Sequence, residues 1–322
     1  MATAEQIKSL IRSHIGEDPE RFYTVALQLA AHEAKQGHTA LAHDIRDMVD
    51  KSRRAKGAVV LKFPKDILGL VLSEDPETTK SSLVMSSVLE SRIDRIMHEY
   101  RKQSTLKSHG LTHRRKILLI GPPGTGKTMT AKVLAHELQL HLHTIQVDRL
   151  VTKFMGETSA KLRQIFDLIE QEIGVYLFDE FDAIGGERSL ENDVGEMRRV
   201  LNAFLQFIDQ DASDSIIVAA TNNPMLLDKA LFRRFDDVLY YEKPGEEERK
   251  RLIGNVLGTF ISSRLDWKQV VGKSSELSHA EIDTACRDAI KSAILSNTLK
   301  VSETELLRAL MERTDAQVGR RG

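Results

Sequence analysis

Gly121-Pro122-Pro123-Gly124-Thr125-Gly126-Lys127-Thr128 fits the pattern G-x-x-x-x-G-K-[ST] without a gap. The residues before it, Lys116–Ile120, read as a short buried strand. Those after it, Met129 to Leu138, read as a helix with Val133, Leu134 and Leu138 on one side. A strand, a glycine-rich turn and a helix N-terminus make a cradle for phosphate: backbone N–H groups close on the oxygens and the helix dipole adds positive potential. Residues 122–129 are therefore the expected phosphate-binding set: Pro122, Pro123, Gly124, Thr125, Gly126, Lys127, Thr128 and Met129. Lys127 is expected to reach the β and γ phosphates, and Thr128 to offer its hydroxyl to Mg²⁺.

Further out, short apolar runs alternate with helical patterns. The runs are His141–Val147, Val175–Phe178, Ile216–Ala220 and Val238–Tyr241, with helical stretches at Ser159–Ile169 and Glu196–Ile208 between them. Val84 to Tyr100 also reads as helix. This alternation predicts an α/β fold, a parallel sheet covered by helices on both faces. After Pro244-Gly245 the pattern is helical to the end, with capping boxes at Ser278/Glu281 and Ser302/Glu305. Residues 1–57 read as three helices, one opened by a capping box at Thr3/Gln6 and one by Asp18-Pro19 and carrying Phe22, Val25, Ala26 and Leu29. Lys51–Lys56 reads as a linker, and extended character returns at Val59–Leu61.

Val175-Tyr176-Leu177-Phe178-Asp179-Glu180 is an apolar strand that ends in two carboxylates. Burying the strand puts the acids at its exposed tip, where a parallel sheet opens its ligand crevice. Asp179 is the expected Mg²⁺ ligand, directly or through water, and Glu180 the group that orients and polarises the attacking water.

Together, GPPGTGKT, VYLFDEFDAIGGER and VAATNNPMLLDKALFRRFDD resemble the AAA family of ATPases. The similarity runs from about Ile67 to the C-terminus. It implies a P-loop NTPase parallel-sheet domain at 58–243 (with 58–80 linker-like) and a C-terminal helical lid at 244–322; residues 1–57, helical by pattern, are expected to form a small all-helical N-terminal domain that docks a partner or substrate. It also implies ATP and Mg²⁺ as ligands, and a homo-oligomeric ring, usually of six subunits, with ATP at the boundaries. By the same resemblance Asn222 matches the polar sensor that meets both the γ-phosphate and the water. Arg233 and Arg234 match the fingers that one subunit lends to its neighbour's ATP, here without the Pro-Gly that many members place between them. Phe154 and Met155, in Lys153-Phe154-Met155-Gly156, match a pore loop that grips an extended polypeptide. A second pore loop is expected within Glu187 to Gly195. In the lid, Leu277-Ser278-His279-Ala280-Glu281-Ile282 stands where the family has Ser-Gly-Ala-Asp, whose backbone the resemblance implies passes close to the adenine, with His279 in the place of glycine.

Two functions from different classes follow. One is a mechanical ATPase that threads or remodels a protein substrate. The other is a nucleotide-gated regulatory subunit or antidote that controls a partner enzyme, such as a subtilisin-like serine protease of a toxin–antidote or phage-defence pair. Composition limits the rest. Net charge is −1, from 46 basic and 47 acidic residues, and no basic stripe or helix-turn-helix pattern supports a nucleic-acid role such as DNA remodelling. The apolar fraction is 41%, mean hydropathy is −0.29, and no window suits a membrane span. The opening residues carry acids early and lack a signal region, so a cytoplasmic location is expected. The single cysteine, Cys286, sits in a helical pattern with Ile282, Ala285 and Ala289 and is expected to be a small buried side chain.

Overall fold

Side chains alternate across a strand, so a run that is apolar at successive positions needs apolar cover on both faces. In the computed structural model that cover is present. The structure describes residues 69–150, 155–182, 193–223, 229–262 and 265–318, together with 25–27, 29, 30 and 45 (side chains excepted at 155–156, 193–199, 229–230 and 317–318). The chain divides into two compact units, Met1–Lys62 and Phe63–Gly322. In the first, residues 25–27, 29 and 30 are helical, and Val25, Ala26 and Ala30 are buried, in keeping with the apolar stripe predicted there. The other helices expected before residue 57, the linker and the extended segment at 59–61 lie outside the described residues.

In the second unit the strands are β1 (Val71–Glu74), β2 (Lys116–Ile120), β3 (Leu142–Ile145), β4 (Val175–Phe178), β5 (Ile216–Thr221) and β6 (Asp237–Tyr240). They form one six-stranded sheet in the order β1-β3-β4-β5-β2-β6. All pairings are parallel except that of β1, which runs antiparallel to β3 with Val71 opposite Ile145. The expected parallel sheet thus carries an added antiparallel edge. Only Val71 of β1 is buried, so this strand has no apolar run to betray it.

Alternation along the strands feeds two separate cores. Leu118, Ile120, Tyr176, Phe178, Ile217 and Ala219 face α3 (Met155–Gln171) and α4 (Asp193–Gln210), whose Ile165, Phe166, Phe204 and Ile208 cover them. Ile117, Leu119, Val175, Leu177, Ile216 and Val218 face α1 (Ser87–Arg101) and α2 (Lys127–Leu138), through Ile93, Ile96, Val133 and Leu134. Each strand is therefore sandwiched, and the carboxyl ends of β2, β4 and β5 are left to line a crevice.

The remaining helices, α5 (Glu246–Leu257), α6 (Trp267–Lys273), α7 (His279–Leu295) and α8 (Glu303–Val318), enclose a third core built on Ile253, Leu257, Ile282, Cys286 and Leu310. Val84, which precedes α1, inserts into this core and joins the helical layer to the sheet region. The predicted box at Ser278 forms: its hydroxyl accepts from the Glu281 N–H and its own N–H donates to the Glu281 carboxylate. The same exchange links Ser302 and Glu305. Cys286 is buried, and burial pushes its thiol up to about 12, so it stays a neutral packing group. No helix among the described residues is long and apolar enough to cross a membrane.

Candidate active site

The turn between β2 and α2 wraps around its own lysine. Gly124 and Gly126 adopt φ of +74° and +102°, values that side-chain-bearing residues rarely take. A Cβ on Gly124 would also lie 2.8 Å from Ser278 Oγ, so the loop meets the helical layer at van der Waals range only because glycine stands there. At the same point the Ala280 N–H donates to the Gly124 carbonyl at 3.0 Å. Lys127 is 6% exposed. Its Nζ donates to the carbonyls of Gly121 (2.7 Å) and Pro122 (2.8 Å) and to Asn222 Oδ1 (2.8 Å). Burial lowers the Lys127 pKa, while Asp179 and Asp182 act to raise it. A desolvated ammonium held only by neutral oxygens has much to gain from an anion.

Asp179 and Glu180 follow β4 and stand at the mouth of the same crevice. Thr128 Oγ1 donates to Asp179 Oδ2 at 2.7 Å. A hydroxyl beside a carboxylate is a hard-oxygen pair suited to Mg²⁺, which keeps most of its shell as water and phosphate oxygen. Among the described residues no group of three or more His, Cys, Asp or Glu could hold a metal by itself. Glu180 has φ of +50°, a strained backbone for a non-glycine residue. The strain turns the chain sharply at the strand tip.

These groups border one cleft of about 1000 Å³. Its phosphate end holds Pro123, Gly124, Thr125, Gly126, Lys127, Thr128 and Met129, facing Asp179, Glu180 and Asn222. Pro122 is not on the wall; its carbonyl is taken by Lys127 and by the Thr125 hydroxyl at 2.8 Å. The rest of the wall includes Leu83, Val84, Leu252, Val256, His279 and Ala280, which reach up to the loop at Gly124 and Gly126 and give a mixed apolar surface of the kind a nucleoside needs. His279 is largely buried, and burial lowers its imidazole pKa against the pull of Glu248.

Arg233 and Arg234 do not line this cleft. Arg233 is exposed, and Arg234 Nε donates to Asp209 Oδ2 at 2.6 Å. Phe154 lies outside the described residues, Met155 opens α3, and of the second pore segment only 193–195 are described, as the start of α4. On the nucleoside side of the cleft the family resemblance pointed to the His279-Ala280 segment, and the rest of the wall was not foreseen. Asp283, Thr284 and Arg287 also line it, at helical spacing from Ala280 along α7. That i, i+3, i+4, i+7 spacing was a usable signal, since it puts all of them on one face once Ala280 is placed at the nucleotide.

Known proteins agree with the geometry. The profile of the family described as "ATPase family associated with various cellular activities (AAA)" matches residues 117–243. An AAA family ATPase, y4kL, of Sinorhizobium fredii is 33% identical over 99% of this chain and 98% of its own length. The proteasome-activating nucleotidase of Methanoregula boonei is 28% identical over 77% of this chain and 59% of its own. The ATP-dependent zinc metalloprotease FtsH 1 of Methylacidiphilum infernorum is 28% identical over 79% and 41%. The chain thus spans about half the length of these last two relatives. With a glycine-rich loop, a buried lysine and a strand-tip Asp-Glu pair in one cleft, and a relative matched from end to end, this chain belongs to the AAA family and is an ATP hydrolase.

Proposed function

We propose that this protein works as a homo-oligomeric ring, of six subunits by family habit, that spends ATP to pull or remodel a protein substrate. The observation that carries the reading is a division of parts. The cleft gathers Lys127, Thr128, Asp179, Glu180 and Asn222, whereas Arg233 and Arg234 stand away from it, Arg233 exposed and Arg234 paired with Asp209, so in this reading they serve a neighbour's cleft rather than their own. In this reading Lys127 and the loop N–H groups hold the β and γ phosphates. Thr128 and Asp179 hold Mg²⁺, which neutralises charge on the phosphate oxygens. Glu180 takes the proton of the attacking water, and the Asn222 amide orients it. The guanidinium of Arg233 or Arg234, supplied in trans, stabilises charge on the transferring group.

Phe154 and Met155 form the gripping loop in this proposal. Residues 1–57 serve as the docking domain, ahead of a nucleotide domain at 58–243 and a lid at 244–322. The proposed location is the cytoplasm. Two relatives are named for proteolysis, one as an activator of the proteasome and one as an ATP-dependent metalloprotease. That supports delivery of the substrate to a partner protease, with a subtilisin-like enzyme as the specific proposal.

The test uses the intact chain and a fluorescent reporter with an unstructured tail. Phe154→Ala is expected to hydrolyse ATP within about two-fold of wild type, because the residue makes no phosphate contact in this scheme, and to lose ATP-dependent unfolding of the reporter. Unfolding at the wild-type rate in that variant contradicts threading.

A further inference from the structure

The tips of β4 and β5 go on bonding after the ladder between them ends. The last ladder pair is Phe178 with Ala219. Beyond it the Phe181 N–H donates to the Ala220 carbonyl at 2.8 Å. Asp182 Oδ1 then accepts twice, from the Thr221 hydroxyl at 3.1 Å and from the Asn222 backbone N–H at 3.3 Å. Phe181 is 0% exposed and packs its ring 4.6 Å from that of Phe204. Between the ladder and these added bonds sits Glu180, on its left-handed backbone. One end of the Glu180 turn is therefore fixed by β4. The other end is fixed by Phe181 and by Asp182, and Asp182 in turn holds the backbone of Asn222.

Asp182 does not line the cleft. Its bonds run instead from the segment that carries Glu180 to the one that carries Asn222. We propose that Asp182 is a positioning residue, whose carboxylate sets the Asn222 amide against the Glu180 carboxylate so that both meet one water. The inference rests on the reading of Glu180 and Asn222 given above. Its physical weight comes from orientation: a displacement on the order of 1 Å in a group that aligns the nucleophile costs about 100-fold in rate. A purely structural role predicts something else. Asn222 is exposed, so its released N–H finds water, and Thr221 keeps a second bond as acceptor of the Asn223 N–H at 3.1 Å. The fold survives the loss; the alignment does not.

The experiment compares steady-state ATP turnover and the affinity for a non-hydrolysable ATP analogue in Asp182→Ala and Asp182→Asn, each with and without Asn222→Ala. Asp182→Ala is expected to lower kcat by roughly 10- to 100-fold with the analogue's Kd unchanged. Asp182→Asn, which keeps an acceptor in the same place, should restore most of that rate. In the Asn222→Ala background, Asp182→Ala should cost nothing further, because the group it positions is gone. Wild-type kcat in Asp182→Ala, or the same loss in both backgrounds, overturns the inference. If Asp182→Ala fails to fold, Asp182→Leu, which removes both acceptors but fills the side chain's volume, carries the same comparison against Asn222→Ala. Wild-type turnover in Asn222→Ala alone would sink the underlying reading of that residue, and the inference with it.

Discussion

At the scale of single residues, the site separates binding from chemistry. Lys127 is the proposed cation for the phosphates, so Lys127→Ala is expected to weaken ATP binding by on the order of 10- to 100-fold, the worth of one charge-assisted bond to phosphate. Glu180 is the proposed base, so Glu180→Gln should bind ATP as tightly as wild type and turn it over about 10²- to 10⁴-fold more slowly. Calorimetric titration and a phosphate-release assay on the two variants read the two effects apart; normal turnover in Glu180→Gln removes it from that role. Both residues were legible in the sequence, because a phosphate loop needs a fixed spacing and a buried strand must shed its acids at the tip. Asp182 was not legible as a functional group. It acts through hydrogen bonds to Thr221 and Asn222, 39 and 40 residues away, and only the pairing of β4 with β5 brings them together. On the nucleoside side the His279 segment was legible through the family resemblance, whereas Leu83 and Leu252 were hidden because they meet it only in three dimensions.

At the scale of elements, periodicity located the five parallel strands and the long helices, since continuous apolar runs and helical stripes answer directly to burial on two faces or one. It failed at β1, where a single buried valine gives no period to detect. It also left the neighbours of His143 unread. That residue, on β3, is fully buried: Tyr176 stacks on its ring with centroids 4.6 Å apart and Ser73 Oγ lies 2.7 Å from Nδ1. Glu172 approaches Nε2 at 3.6 Å, and His141 and Asp75 add opposing fields. Burial pushes the His143 pKa down from 6.5 to about 4. The unfolded chain therefore binds the proton first as pH falls, and the contribution of a neutral His143 is intact above about pH 6.5 and lost on the way to pH 4. The full loss is about 3 kcal/mol for a shift of this size. His143→Phe keeps the ring stack and removes the titration, so its unfolding midpoint should depend less on pH across that window than the wild type's. Parallel curves for the two proteins would show that another group governs acid sensitivity.

At the scale of the whole molecule, the sheet's carboxyl ends and the helical layer form one cleft, joined by the Ala280 to Gly124 bond and by the insertion of Val84 into the helical core. In the proposed scheme loss of the γ-phosphate would change what the loop, Asp179 and Asn222 hold, and the helical layer is tied directly to that loop. An ATP shared between subunits would turn the same change into motion of one subunit against the next. That sharing is the central claim, and mixing variants tests it most directly. Lys127→Ala spoils the cleft but leaves the arginines, whereas the double variant Arg233→Ala, Arg234→Ala spoils the arginines but leaves the cleft. ATP turnover is measured for each alone and for the two co-assembled in equal amounts. The account predicts that both are nearly inactive alone and that the mixture recovers a substantial part of wild-type turnover, because some boundaries pair an intact cleft with intact arginines. Turnover in verified mixed assemblies no higher than the average of the two variants would contradict it.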